Sequence, residues 1–312
     1  MRSSGERSLR GLVLRVLLKQ GARTVQEAKK LKPYMEVNFT EAKTKLANSE
    51  RIAIALGVLA VMAVLIPDEW NLAGWGAGVL SILLLVAQQH QSYRFRDLYS
   101  QAEGLRRQYL LCDGLGCGIS QSNLAPLERR YGELEAYDEA YYTSHLKPGP
   151  KRLWMLVWES AFWSEDLQEG MANAFWWKAV GTSSLVFIAL LISLYGPEGP
   201  AVSKVIPPAL ALFVGLNFWG KWWDSREVQR VCEATAADCR AHVEGGAVGR
   251  TETDELREVM QMVLNYSATM LLAYPCSDKI YLSRRDRLNK AWDRVVKGLA
   301  GSEWGHPQCK EP

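Results

Sequence analysis

The sequence of 312 residues predicts an all-α fold: a polytopic membrane protein of two transmembrane helical hairpins (four spans) with cytoplasmic helical regions. Three observations predict it. Four segments lack charged residues, turn-forming residues separate the members of each pair, and basic residues lie elsewhere. With 23% charged residues and a net charge of +3, the composition excludes a disordered chain and a nucleic-acid binder recognised by bulk charge.

The uncharged segments contain 15, 24, 19 and 16 residues, namely 52–66, 70–93, 179–197 and 205–220. A helix needs about 20 apolar residues to span a bilayer core, and roughly 17 is the lower limit. Two segments meet that length, and local thinning of the bilayer would accommodate the two shorter ones. Turn residues at 67–71 and 196–200 join the segments into two hairpins.

Positive charges orient the hairpins. Lys and Arg number 12 before the first hairpin, 10 between the hairpins and 14 after the second, whereas the hairpin tips contain only Lys204. Because basic residues remain on the cytoplasmic side, we expect both termini and the middle region in the cytoplasm. The resulting division is a basic leader, hairpin 1, a middle helical region, hairpin 2 and a helical tail: 1–51, 52–93, 94–178, 179–220 and 221–312.

Tryptophan positions agree with this topology. Amphipathic rings favour the membrane interface, and seven of the twelve tryptophans lie at predicted span ends: Trp70, Trp75, Trp176, Trp177, Trp219, Trp222 and Trp223. The alternative is a soluble all-helical protein with two buried hairpins, which leaves the charges and tryptophans unexplained. The basic leader is either an interfacial helix attracted to anionic lipid or a helix packed on the rest of the protein.

The sequence also predicts where the helices outside the hairpins begin and end. We expect the second span to continue through Arg94 to Leu111, and further helices at 152–178 and 224–243. A capping sequence at Thr251 predicts a helix to about Ala273, and 283–299 predicts the last one.

The sequence contains no recognisable catalytic or cofactor motif. Its six cysteines form no C-x-x-C pair, and its four histidines lie far apart. A glycine-rich loop at 112–118 matches neither phosphate-binding spacing, and G-x-S-x-G and Walker sequences are absent. We therefore predict no enzyme, no cofactor and no metal site.

Small and mildly polar residues within the predicted spans are candidates for helix packing or for lining a pore. They are Gly74, Gly78, Ser183, Ser184, Ala211, Gly215 and Asn217. Gly74 and Gly78 form a G-x-x-x-G step, which allows close approach of helices within one chain or between subunits. Arg284, Arg285 and Arg287 are candidates for contacts with a phosphate or a lipid headgroup, the alternative being a solvated helix face.

The arrangement of the predicted spans and several short sequence motifs resemble those of the SMODS-associated four-transmembrane effector family. Two hairpins enclose a middle region of about ninety residues. The steps that carry the likeness are Cys112-Asp113 followed by Leu115-Gly116, Ala140-Tyr141-Tyr142, Arg152-Leu153, Trp163, Ile280-Tyr281 and Arg284.

This resemblance implies a membrane effector of bacterial nucleotide-signalled anti-phage defence. A nucleotidyltransferase would make a cyclic nucleotide signal. The signal, or a partner that senses it, would then drive homo-oligomerisation and permeabilisation of the inner membrane. The partners would be the lipid bilayer, further copies of the chain and the signal or the protein linked to it. The alternative function is a non-catalytic membrane scaffold or sensor that recruits a cytoplasmic partner.

Overall fold

The computed structural model describes residues 28–65, 71–119, 121–135, 142, 144, 146–195, 213, 216–245 and 251–299. These residues form seven helices and, within the same ranges, no strand. The helices are α1 (Leu31–Leu65), α2 (Asn71–Leu115), α3 (Gln121–Tyr131), α4 (Pro150–Tyr195), α5 (Phe218–Gly245), α6 (Glu252–Met270) and α7 (Asp278–Gly298). The predicted all-α fold is therefore confirmed.

Three helices are unusually long: α1 has 35 residues, α2 has 45 and α4 has 46. Each joins an apolar half to a charged half without a break: no proline lies where the composition changes, and Gly181, close to that point in α4, does not end the helix. As the sequence predicts, α2 continues past Arg94, and it ends at Leu115. The division points 51/52, 93/94 and 178/179 lie inside these continuous helices.

Side-chain caps set the start of the two C-terminal helices. The Thr251 hydroxyl accepts a hydrogen bond from the Asp254 amide at 3.2 Å, which confirms the predicted cap of α6. The Ser277 hydroxyl accepts from the Ile280 amide at 3.4 Å. Because of this second cap, α7 starts at Asp278, five residues before the predicted start at Ser283.

The helices pack as two long pairs with two shorter helices against them. α1 lies along α2 and α4 lies along α5, while α6 and α7 pack on α4. The main core contains large aromatic side chains from five of these helices, including Tyr99, Trp158, Phe175, Tyr266 and Trp292. A smaller core joins the start of α1 to the end of α2 and to α3 through residues such as Leu31, Met35, Leu110 and Leu124.

No helix in the part of the chain that the structure describes is long and apolar enough to cross a membrane. The prediction of four spans is therefore not supported by the described helices. The apolar run in α1 is short, and the uncharged run in α2 ends in the polar residues Gln88-Gln89-His90-Gln91. Most of the fourth predicted span, 205–220, lies outside the described residues.

Candidate functional site

Large apolar side chains are exposed on the C-terminal halves of α1 and α4 and on the N-terminal half of α2. Each is at least 38% exposed. They are Ile54, Val58, Val79, Leu80, Ile82, Leu83, Leu85, Val86, Phe187, Ile188 and Leu191, and we call them the apolar end. Scattered exposed apolar residues are ordinary, but a concentration of this size marks a surface that meets something other than water.

The helix directions bring these side chains to one end of the molecule. α1 and α2 are consecutive, closely packed helices joined by a short connection, and they run antiparallel. α2 and α4 are also antiparallel, because Asp113 meets Arg152 near one end whereas Arg106 meets Ser160 further along both helices. The C-terminal halves of α1 and α4 therefore lie beside the N-terminal half of α2.

A cluster of three charged residues lies where the apolar end meets the charged halves of the helices. Oε1 of Glu50 is 2.7 Å from Nζ of Lys221, and its Oε2 is 3.3 Å from Nζ of Lys178. The side chains of Glu50 and Lys221 are mostly buried, whereas that of Lys178 is 48% exposed. This cluster joins α1, α4 and α5 and combines two positive charges with one negative charge.

Burial and mutual attraction act in opposite directions on these groups. Burial raises the pKa of Glu50, but the ammonium groups of Lys221 and Lys178 outweigh it and hold that pKa below its usual value. Burial lowers the pKa of Lys221, and Glu50 opposes this shift only in part. The two ammonium groups also lie 5.2 and 5.1 Å from the ring centroid of Phe218, within cation–π range.

Four tryptophans of α4 and α5 lie close together beside this cluster. The ring of Trp176 lies 5.2 Å from the rings of both Trp219 and Trp222. The ring of Trp222 in turn lies 5.8 Å from that of Trp223, which is 59% exposed. Together with Glu50, Lys178 and Lys221 they form a group that we call the collar. These tryptophans are the ones predicted from the sequence to lie at span ends, whereas Glu50 has no signal in the sequence.

The predicted G-x-x-x-G step does not pack against another helix at Gly78. A side chain placed there would meet nothing within 4 Å, and Gly78 is exposed. The space facing Gly78 is therefore open within the chain, and packing between subunits or a pore-lining position stays a prediction. Gly74 lies in the first turn of α2, and its packing surroundings fall outside the described residues.

The other predicted small residues have different roles. Ser183 does join two helices, since its hydroxyl accepts a hydrogen bond from Nε1 of Trp219 at 2.9 Å. Ser184 is exposed. Asn217 is also exposed, has a φ of 44° and accepts the Gly220 amide at 3.3 Å, so it caps α5 instead of packing between helices. Ala211 and Gly215 lie outside the described residues.

Two of the three predicted phosphate-contact arginines are held by acids of α4. Nη1 of Arg284 is 2.9 Å from Asp166 and 3.2 Å from Glu169, and Arg287 also pairs with Asp166. Arg285 faces outward and pairs with the neighbouring Asp286. The guanidinium groups of Arg284 and Arg287 therefore attach α7 to α4, and their role as phosphate or lipid contacts stays a prediction. These partners could not be predicted, because Asp166 and Glu169 have the pattern of a solvated helix face in the sequence.

A buried polar junction, also missed, connects α2, α4 and α6. Nε of Arg106 donates to Glu103 at 2.9 Å, and its Nη1 donates to the Ser160 hydroxyl at 3.3 Å. The Tyr266 hydroxyl lies 2.9 Å from the hydroxyls of Ser160 and Ser164 and donates to the Ser160 carbonyl at 3.1 Å. Burial raises the pKa of Tyr266 to about 12, so this hydroxyl remains protonated.

The described residues offer little for cofactor chemistry. Among them, no group of three or more His, Cys, Asp or Glu side chains is placed to hold a metal ion. A groove of about 530 Å³ lies between the start of α1 and the segment after α3. Its charged lining consists of Glu36, Glu41 and Glu135, which disfavours a phosphate-bearing ligand.

Comparison with known proteins gives no relative: no protein-family model, no curated protein and no solved structure matches the chain.

Proposed function

We propose that this chain is a membrane effector that places its apolar end in the bacterial inner membrane, oligomerises there and permeabilises the bilayer. The exposure of the apolar end is the observation that carries the proposal. Ile82 and Leu83, for example, are 64% and 61% exposed on α2, with similar exposure nearby on α1 and α4. Burying such a surface in lipid removes apolar area from water, at about 25 cal/mol per Å².

The collar supports this orientation. Tryptophan and lysine side chains favour the boundary between hydrocarbon and water, because each combines an apolar body with a polar or charged tip. Trp176, Trp223 and Lys178 lie between the apolar end and the charged halves of the helices. On this proposal the charged halves, α6 and α7 are cytoplasmic, as are both termini.

The defence role is taken from the resemblance to the four-transmembrane effector family. Several residues that carry this resemblance make contacts between helices. Asp113 pairs with Arg152, and the ring of Trp163 lies 6.3 Å from that of Tyr281. The motifs that carry the resemblance thus hold α2, α4 and α7 together. On this proposal the cytoplasmic helices restrain the apolar end until a cyclic nucleotide, or a partner that senses it, releases them.

Membrane potential in bacterial cells tests the effector role. The variant is Leu83→Asp, which places a charge in the apolar end, and its control is Leu264→Asp, the same change at a 52% exposed leucine of α6. We expect the unchanged chain and the control to depolarise cells when triggered together with their genetic neighbours during phage challenge. We expect Leu83→Asp to abolish depolarisation and to reduce the membrane-bound fraction.

Depolarisation by Leu83→Asp equal to that by the unchanged chain would contradict the proposal. The second candidate is a membrane scaffold, favoured by the exposed Leu264, Leu271 and Leu272 on and after α6. A scaffold would be found in the membrane without changing the potential, and Leu264→Asp would then release its cytoplasmic partner.

A further inference from the structure

The collar has an excess positive charge close to an apolar surface. Lys178 and Lys221 share the single carboxylate of Glu50. Arg96, whose charge also acts on Lys221, lies 4.0 Å from Asp224, which balances it. One net positive charge therefore remains beside the tryptophans of the collar.

Within the described part of the chain, each of the two ammonium groups uses only one of its three N–H donors. A lysine ammonium has three N–H donors, and Lys178 and Lys221 each donate one to Glu50. Lys178 is reachable from outside because nearly half of its side chain is exposed. A phosphate oxygen approaching Lys178 would be attracted by both lysines and repelled by only one carboxylate.

We propose that Lys178 binds the phosphate group of an anionic phospholipid, with the buried charge of Lys221 adding to the attraction and the acyl chains against the apolar end. This inference rests on the proposed membrane function and adds a lipid class to it. The collar then serves as a headgroup site, and anionic lipid supplies the negative charge that Glu50 alone does not.

The surroundings favour a lipid phosphate over a free one. Ile54 and Val58 follow Glu50 at intervals of four residues, so they lie above it on the same face of α1. Both are more than half exposed and lead from the ion cluster into the apolar end. An acyl chain would cover these residues, whereas inorganic phosphate would leave them in contact with water.

Vesicle flotation of the full-length chain tests the site. Binding is compared between phosphatidylcholine vesicles and the same vesicles doped with phosphatidylglycerol. The variants are Lys178→Gln, Lys178→Arg and the matched control Lys290→Gln, which removes an exposed lysine of α7. We expect Lys178→Gln to reduce the preference for anionic vesicles about fivefold, since one basic residue near an anionic surface has roughly that effect. Lys178→Arg should retain the preference, and added salt should weaken it.

The glutamate provides a second test with the opposite sign. Glu50→Gln removes the competing carboxylate, so we expect its preference for anionic vesicles to exceed that of the unchanged chain. A role of Glu50 confined to holding the helices together would instead lower binding to both kinds of vesicle.

The remaining outcomes separate this inference from the proposed function. Binding of the unchanged chain to neither kind of vesicle would overturn the membrane function itself. Equal binding to both kinds, or equal losses in Lys178→Gln and Lys290→Gln, would overturn only the headgroup site. Inorganic phosphate that raises the melting temperature in detergent as much as phosphatidylglycerol does, and loses this effect in Lys178→Gln, would identify a soluble ligand and overturn the lipid assignment.

Discussion

The guanidinium of Arg152 holds both the side chain and the backbone of Asp113, 39 positions earlier in the chain. Nη2 of Arg152 lies 2.9 and 3.0 Å from the two carboxylate oxygens, and Nε donates to the Asp113 carbonyl at 3.0 Å. Nη1 donates to the carbonyls of Ser144 and Leu146. One side chain therefore joins the end of α2, the start of α4 and the connection before α4.

Removing one member of this pair should destabilise the fold strongly. In Asp113→Ala the guanidinium of Arg152, which is 11% exposed, loses its counter-charge. We expect a loss of about 3–5 kcal/mol in the free energy of unfolding, because an unpaired buried charge is costly. Denaturant unfolding in detergent, followed by tryptophan fluorescence, measures it.

The matched control is Glu244→Ala, which breaks the exposed pair between Glu244 and Arg240. Exposed pairs contribute little, so this variant should unfold near the denaturant concentration of the unchanged chain. Similar losses of unfolding free energy in the two variants would contradict the role of Arg152 in holding α2 and α4 together.

Two glycines of α2 should respond to alanine in opposite directions. A Cβ at Gly114 would lie 2.8 Å from Cδ1 and 3.1 Å from Cα of Leu153, so α4 would have to move. A Cβ at Gly104 would meet nothing within 4 Å. Since alanine favours a helix interior by up to about 1 kcal/mol, Gly104→Ala should stabilise the protein and Gly114→Ala should destabilise it. The melting temperatures of both variants test this, and a gain at Gly114 would show that α2 and α4 are not in close contact there.

The buried hydroxyl of Tyr266 gives a third prediction. Tyr266→Phe removes the group that links Ser160 to Ser164 and leaves their polar atoms buried. We expect a loss of about 1–3 kcal/mol in the free energy of unfolding. Tyr93→Phe, at a 71% exposed tyrosine, is the control and should change little. Equal stability of Tyr266→Phe and the unchanged chain would contradict a stabilising junction.

The local features of this fold could be predicted from sequence, because their signals lie within a few residues. The helical content and the Thr251 cap are examples. The tryptophan positions also indicated where the collar lies. Such features depend on periodicity and on single capping side chains, which a sequence displays directly.

The pairings between distant residues could not be predicted. Arg284 and Asp166 are 118 positions apart, and each alone is typical of a solvated helix face. Glu50 carries no local signal for Lys221, 171 positions later. Only packing of α1, α4 and α5 brings these charges together, so the ionic half of the collar emerged from the structure alone.

The stability contribution of Glu50 should depend on pH with a definite sign. Its pKa in the folded protein is lowered from 4.5: burial alone would raise it, but the attraction of Lys221 and Lys178 is stronger. A lowered pKa means that the ionised group stabilises the folded state above pH 4.5 and loses this effect as pH falls through the folded-state pKa.

Glu50→Gln should therefore unfold more easily than the unchanged chain at neutral pH, by about 1.5–3 kcal/mol for a lost hydrogen bond to a charged group. The difference should shrink as pH falls below 4.5, because the unchanged Glu50 is then itself neutral. Glu227→Gln, which alters an exposed pair with Arg230, should show little pH-dependent difference. Denaturant midpoints across this range measure the effect, and a difference between Glu50→Gln and the unchanged chain that grows toward acid would mean that the folded protein raises the pKa of Glu50.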